Sequence, residues 1–142
     1  MRVFVDTNLW VYRLDRRDPD KARRIANWLR ELVLAHEIVV STQVMIELRA
    51  VLSRKFKPAM PHADIRLALE ALAAFEIAGA DSSLVFDAHE LAEIEQLSWF
   101  DALIVEAAIR SGCSLLYSED LGHGRRFGQL TVCNPLIEQI SP

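Results

Sequence analysis

A chain of 142 residues, 51% hydrophobic and 25% charged, is sized for one packed domain and is too apolar to be a disordered segment. Its 20 acids against 16 Lys and Arg, a formal net charge of -4, argue against a nonspecific nucleic-acid binder but leave room for a local basic surface. No apolar run reaches the ~18 residues a membrane span requires, and the opening MRVFVDTN has no signal-peptide pattern. A cytoplasmic protein without a membrane partner is therefore expected. Cys113 and Cys133 lack CxxC spacing and read as small buried hydrophobes.

The first element is a short apolar strand, Arg2 to Val5, ending abruptly in Asp6-Thr7-Asn8. A short helix follows through Leu14. Asp18-Pro19 then has the form of a helix start, with Asp as N-cap and Pro in the first turn. Behind it Ala22, Ile25, Ala26, Leu29, Leu32 and Val33 recur at helical spacing. Ile38 to Val40 is a second strand. A helix from about Gln43 to Phe56 places Val44, Leu48, Val51 and Leu52 on one face.

Pro58 and Pro61 interrupt the chain before a helix from about His62 to Phe75, with Ile65, Leu69 and Leu72 inward. Glu76 to Ala80 suits a short third strand. Helices are expected over Ser82 to Leu97 and Trp99 to Ser111, the latter stopped by Gly112. Ser114 to Tyr117 is a strand, and Leu121 to Gln129, with three glycines and two arginines, reads as a loop. Leu130 to Cys133 is the last strand, closed by Asn134-Pro135. Short buried strands alternating with helices imply a three-layer α/β/α sandwich around a central parallel sheet. Such sheets bind ligands beyond the carboxyl ends of their strands.

Four acids fall near that edge. Asp6 follows the first strand directly, and Asp120 follows the strand ending at Tyr117. Asp101 lies three residues after Ser98, at the spacing of a capping box. Glu47 sits one turn into its helix beside an inward apolar row. Each alone is well explained as a turn, cap or surface residue. Together they describe a crowd of carboxylates that repel one another unless a cation or a shared proton neutralises them. Hard oxygen donors suit Mg²⁺ or Mn²⁺, and no zinc-type His or Cys spacing is present.

The ordered set VFVDTN, VMIELRAVLSRK, SWFDALI and LLYSEDLGHG resembles the conserved stretches of PIN-domain nucleases, nearly end to end. It is most similar to the VapC toxins of toxin–antitoxin pairs. The resemblance implies a parallel sheet between helices, with Asp6, Glu47, Asp101 and Asp120 as catalytic residues holding one or two Mg²⁺ or Mn²⁺ ions. It further implies that Asn8 and Ser118 brace these acids or act through water; the family usually carries Thr where Ser118 stands. Glu119 leaves the choice of fourth acid open. The implied reaction is hydrolysis of RNA phosphodiester bonds by a metal-activated water, leaving 5′ phosphates and 3′ hydroxyls. The implied partners are an RNA substrate, a VapB-like antitoxin and a second copy in a homodimer.

Arg125 and Arg126, just past Asp120, are the favoured candidates for holding RNA phosphates. Arg49, Arg54, Lys55 and Lys57 read equally well as a solvated face. His123 shares the loop of the arginines but lacks a base-like partner. Trp10, Tyr12 and Phe127 are read as core or subunit contacts before base-stacking groups. A phosphatase with Asp6 as nucleophile is disfavoured, because Asn8 stands where a second Asp is wanted. Two further alternatives are a non-catalytic PIN-like binding module and a PIN nuclease outside any toxin–antitoxin pair. The longer structure-specific DNA nucleases need an arch for which this chain leaves no room.

Overall fold

The computed structural model describes residues 1–140, without the side chains of 138–140. Among the described residues, six strands form one sheet in the order β3-β2-β1-β4-β6-β5. They are β1 (Arg2–Val5), β2 (Glu37–Ser41), β3 (Glu76–Ala78), β4 (Leu115–Tyr117), β5 (Arg126–Phe127) and β6 (Leu130–Cys133). All neighbours pair in parallel except β5 with β6. The helices are α1 (Thr7–Leu14), α2 (Pro19–Ala35), α3 (Thr42–Arg54), α4 (His62–Ala73), α5 (Ser82–Ile94), α6 (Trp99–Arg110) and α7 (Pro135–Ile140).

The strand composition explains the layering. Val3, Phe4 and Val5 are consecutive, so they point alternately to opposite faces of the sheet, yet each is 0% exposed. Both faces of β1 must therefore be covered, as the α/β/α reading requires. α1 packs on α2 and α3, α3 on α4, and α5 on α6. Trp28 of α2 meets Tyr117 of β4 edge-on at 4.9 Å. The Trp10 indole N–H donates to the Val5 carbonyl at 3.1 Å, tying α1 back to the strand it follows. At the amino edge, Arg2 bonds Glu37, Glu76 and the Ser111 carbonyl, joining three strands to the end of α6.

Helix starts follow the residues expected to cap them. Asp18 accepts from Lys21 N with Pro19 in the first turn, and Ser98 accepts from Asp101 N. Gly112, at φ +72°, ends the segment after α6. Both cysteines are buried thiols. No helix among the described residues is long and apolar enough to cross a membrane.

Two expectations need correction. The stretch read as a loop from Leu121 to Gln129 contains β5, which pairs with β6 in a tight hairpin. Gly128, at φ +61°, opens its two-residue turn, where a side chain would be strained. Asn134-Pro135 ends β6 as read, and Asn134 Oδ1 accepts from Leu136 N at 3.0 Å at the start of α7. Val33, read as part of the apolar repeat of α2, is 49% exposed, and the buried line of the helix is Ile25, Leu29 and Leu32.

Phe4 lies at the centre of this arrangement, fully buried between two helical layers. Phe4→Ala is expected to cost about 3–5 kcal/mol, a large part of the roughly 5–15 kcal/mol available to a domain of this kind. Urea denaturation checks this; a loss under 1 kcal/mol would contradict the two-sided burial of β1.

Candidate active site

The site forms where the chain reverses direction across the sheet. From β1 the chain moves outward through β2 to β3, then returns to add β4 on the other flank of β1. This leaves a crevice beyond the carboxyl ends of β1 and β4, the usual position of ligands in open α/β sheets. Asp6 follows β1, and Ser118, Glu119 and Asp120 follow β4. The ladder holds the two ends in register, with Val5 opposite Tyr117 and Asp6 N donating to the Tyr117 carbonyl at 2.9 Å.

Asp6 is 7% exposed. Its Oδ1 accepts from Thr7 N at 2.7 Å, so it also caps α1, as a residue at a strand–helix junction ordinarily does. Its Oδ2 accepts from the Ser118 hydroxyl at 2.8 Å. Ser118 is fully buried and in turn accepts from Asp120 N at 3.2 Å. The Asp120 carboxylate accepts from the Asn8 amide at 2.8 Å. Glu47, half-buried on α3, accepts from the Thr7 hydroxyl at 3.0 Å and from Gln43 Nε2 at 3.4 Å. Gln43 also donates to the Phe100 carbonyl at 3.1 Å, fixing α3 beside the start of α6 and thus beside Asp101.

The charges act on one another. Burial is the main cause that raises the Asp6 carboxyl from 3.8 to about 6, with Glu47 and Asp101 pushing it further up; Thr7 N and Ser118 oppose them. Asp120 is also raised, first by partial burial and then by Glu119 and Asp101. Asp101 is therefore felt on both sides of the crevice. No group of three or more His, Cys, Asp or Glu residues among the described residues is already set to hold a metal ion. The hydroxyl and amide donors of Thr7, Gln43, Asn8 and Ser118 instead bond Glu47, Asp120 and Asp6.

Of the two polar residues named from the sequence, Asn8 donates to Asp120 and Ser118 donates to Asp6. Thr7, Gln43, Tyr12 and Lys21 were not singled out as partners. Gln43 carries a local signal, being one helical turn before Glu47. The Tyr12 hydroxyl donates to Glu119, which no local pattern predicts. The two arginines diverge. Arg126 is exposed on β5, whereas Arg125 is half-buried, donates to the Glu95 carbonyl at 2.7 Å and stacks 4.7 Å from the Phe127 ring centre. His123 accepts from Asn134 N at 2.9 Å and so anchors the start of α7. Trp10 and Phe127 are buried. A cavity of about 1030 Å³ lies between the α1–α2 and α3–α4 connections, with none of the four acids in its lining, which includes Arg13, Arg17, Phe56, Met60 and Leu67.

The fold is that of an α/β protein with Asp6 and Asp120 just beyond the carboxyl ends of neighbouring parallel strands. The PIN-domain profile matches residues 3–126, and the chain belongs to the PIN-domain family. No curated protein is a significant match. Among solved structures, the chain is similar to VapBC2 from Rickettsia felis bound to a DNA fragment from its promoter. That match has TM-score 0.66 and 23% identity, over 93% of this chain and 97% of the other. A toxin–antitoxin complex from Klebsiella pneumoniae matches with TM-score 0.66 and 15% identity over 91% and 95% of the two chains. VapC20 of Mycobacterium tuberculosis, a sarcin–ricin loop cleaving toxin, matches with TM-score 0.55 and 22% identity over 83% and 89%. At these identities the likeness establishes the fold.

The Asp6 shift carries a sign. Its folded carboxyl titrates above its unfolded one, so between pH 4 and 6 the folded chain keeps a proton that the unfolded chain has released. Stability then falls as pH rises through that window, by about 3 kcal/mol once both states are ionised. Asp6→Asn removes this slope. In EDTA at pH 7.5 the variant should melt at or above the wild-type temperature, with its advantage fading toward pH 4. Parallel stability curves for the two proteins would refute the strained carboxylate.

Proposed function

We propose that this chain is an Mg²⁺- or Mn²⁺-dependent endoribonuclease and the toxin of a VapBC-type toxin–antitoxin pair. The observation that carries the reading is the electrostatic coupling of Asp6 to Glu47 and Asp101, and of Asp101 to Asp120, at the switch point of a PIN fold. The donor set fits a hard divalent cation: four carboxylates, without sulfur or imidazole. Asn8 Oδ1 adds a buried acceptor with no hydrogen-bond partner among the described residues. A cation satisfies such an oxygen and offsets the burial, and the smaller repulsion, that hold Asp6 and Asp120 above the usual carboxylate range.

In this reading Asp6, Glu47, Asp101 and Asp120 hold the ion or ions. The bound cation supplies positive charge beside the scissile phosphate and a more acidic water. The protein contributes placement. Ser118 and Thr7 N hold Asp6 in one orientation. Thr7 and Gln43 hold Glu47, and Asn8 holds Asp120. Arg126, exposed and without an ion pair among the described residues, is the better of the two candidate arginines for a substrate phosphate.

The similarity to VapBC2 and to the Klebsiella pneumoniae complex supports an antitoxin partner. The cavity beside α1 to α4, apolar through Phe56, Met60 and Leu67, is the place where a partner helix docks in this reading. A homodimer is supported by exposed Phe86, Trp99 and Phe100 on α5 and α6 and by Ile46 on α3.

Purified protein incubated with total RNA should cut it in Mg²⁺ or Mn²⁺ and leave 5′-phosphate ends. Asp6→Asn and Asp120→Asn should each lower the rate by at least about 100-fold. Undiminished cleavage in excess EDTA would sink the metal-dependent reading. Expression of the chain alone should arrest growth, and expression of Asp6→Asn should not. Harmless wild-type expression, with no small protein co-purifying, would remove the toxin assignment and leave the nuclease one.

A further inference from the structure

Glu119 and Asp120 are adjacent acids in the turn after β4, and α1 meets both. Asn8 and Tyr12 lie one helical turn apart, on the same face of α1. The Asn8 amide donates to Asp120, while the Tyr12 hydroxyl donates to Glu119. Lys21, at the start of α2, completes the second arrangement. Its ammonium lies 3.5 Å from the centre of the Tyr12 ring and 3.9 Å from the Glu119 carboxylate. Glu119 is thus held by a phenol and an ammonium, whereas Asp120 is joined through Asn8 and Ser118 to the crevice. Burial, then Glu119 itself, keeps the Tyr12 phenol above its usual range, so it stays a donor at any working pH.

We propose that Tyr12 and Lys21 are positioning residues that hold Glu119 away from the carboxylate cluster, making Asp120 the acid that serves the site. This rests on the reading of the cluster as a divalent-cation site. Glu is one methylene longer than Asp and carries the same charge. Released from Tyr12, its carboxylate is free to swing toward Asp120 and compete for Asn8 and for the cation. Tyr12→Phe keeps the ring and removes only the donor. Lys21→Met removes the ammonium and keeps the stem.

The test measures Mn²⁺ binding to the full chain by calorimetry, together with kcat and KM on an RNA oligonucleotide and the Tm of each variant. Tyr12→Phe should weaken Mn²⁺ binding about 10-fold, the scale typical of lost ligand support, and lower kcat with KM little changed. Adding Glu119→Gln to Tyr12→Phe should restore both, because the competing charge is gone. A purely structural Tyr12 predicts a lower Tm that Glu119→Gln leaves unrepaired, and that result overturns the proposal. Wild-type Mn²⁺ affinity in Tyr12→Phe overturns it as well, with the cation-site reading intact. A wild-type chain that binds no Mn²⁺ sinks that reading and this proposal with it. If Tyr12→Phe does not fold, Lys21→Met with and without Glu119→Gln decides in the same way: rescue supports the proposal and lack of rescue refutes it.

Discussion

Asp6 is an ionisable side chain sealed at the end of the central strand, and much of the surrounding structure serves to make that placement tolerable. A buried carboxylate without partners would surrender its charge. Two donors, Thr7 N and the Ser118 hydroxyl, hold it part-way, while Glu47 and Asp101 push the other way. Both donors depend on the sheet. Thr7 is presented because α1 begins immediately after β1, and Ser118 because β4 lies beside β1 in register. The closeness of Asp6 to the residues after β4 is therefore a product of strand order: Asp6 could not accept from Ser118 if β4 occupied another position.

Such an arrangement opposes folding, and the core must offset it. The strain on Asp6 is of the order of the loss expected for removing one large core side chain. The uninterrupted burial of Val3, Phe4, Val5, Val39, Val40 and Leu116, all 0% exposed, provides the compensating apolar area in the strands that carry the site. Stability and electrostatic strain thus reside in the same few residues, on opposite sides of one strand end.

How much of this was legible in the sequence varied with the range of the interactions. β1, β2 and β4 were readable because strands covered on both faces are continuous apolar runs. The starts of α2 and α6 were readable because Asp18 and Ser98 cap within three residues. The ordered motifs singled out all four acids together with Asn8 and Ser118, although each acid alone was better explained by turn, cap or surface chemistry. Asp6 caps α1 and at the same time accepts from Ser118 of the neighbouring strand end. β5 escaped because two residues of strand cannot show alternation, though Gly128-Gln129 between Phe127 and Leu130 was a usable hairpin sign. Tyr12 with Glu119, and Arg125 with the end of α5, join residues 107 and 30 positions apart, which no local pattern encodes.

The hairpin at Gly128 has a consequence for how copies of the chain meet. It closes one side of the sheet with the two-residue β5, and the opposite side ends in the three-residue β3. Each border strand carries a charge, Arg126 on one and Glu76 on the other. A neighbouring molecule thus finds no long row of open amide and carbonyl groups to extend. Crowded copies are steered away from strand-to-strand stacking, and association is left to the apolar side chains on the helices.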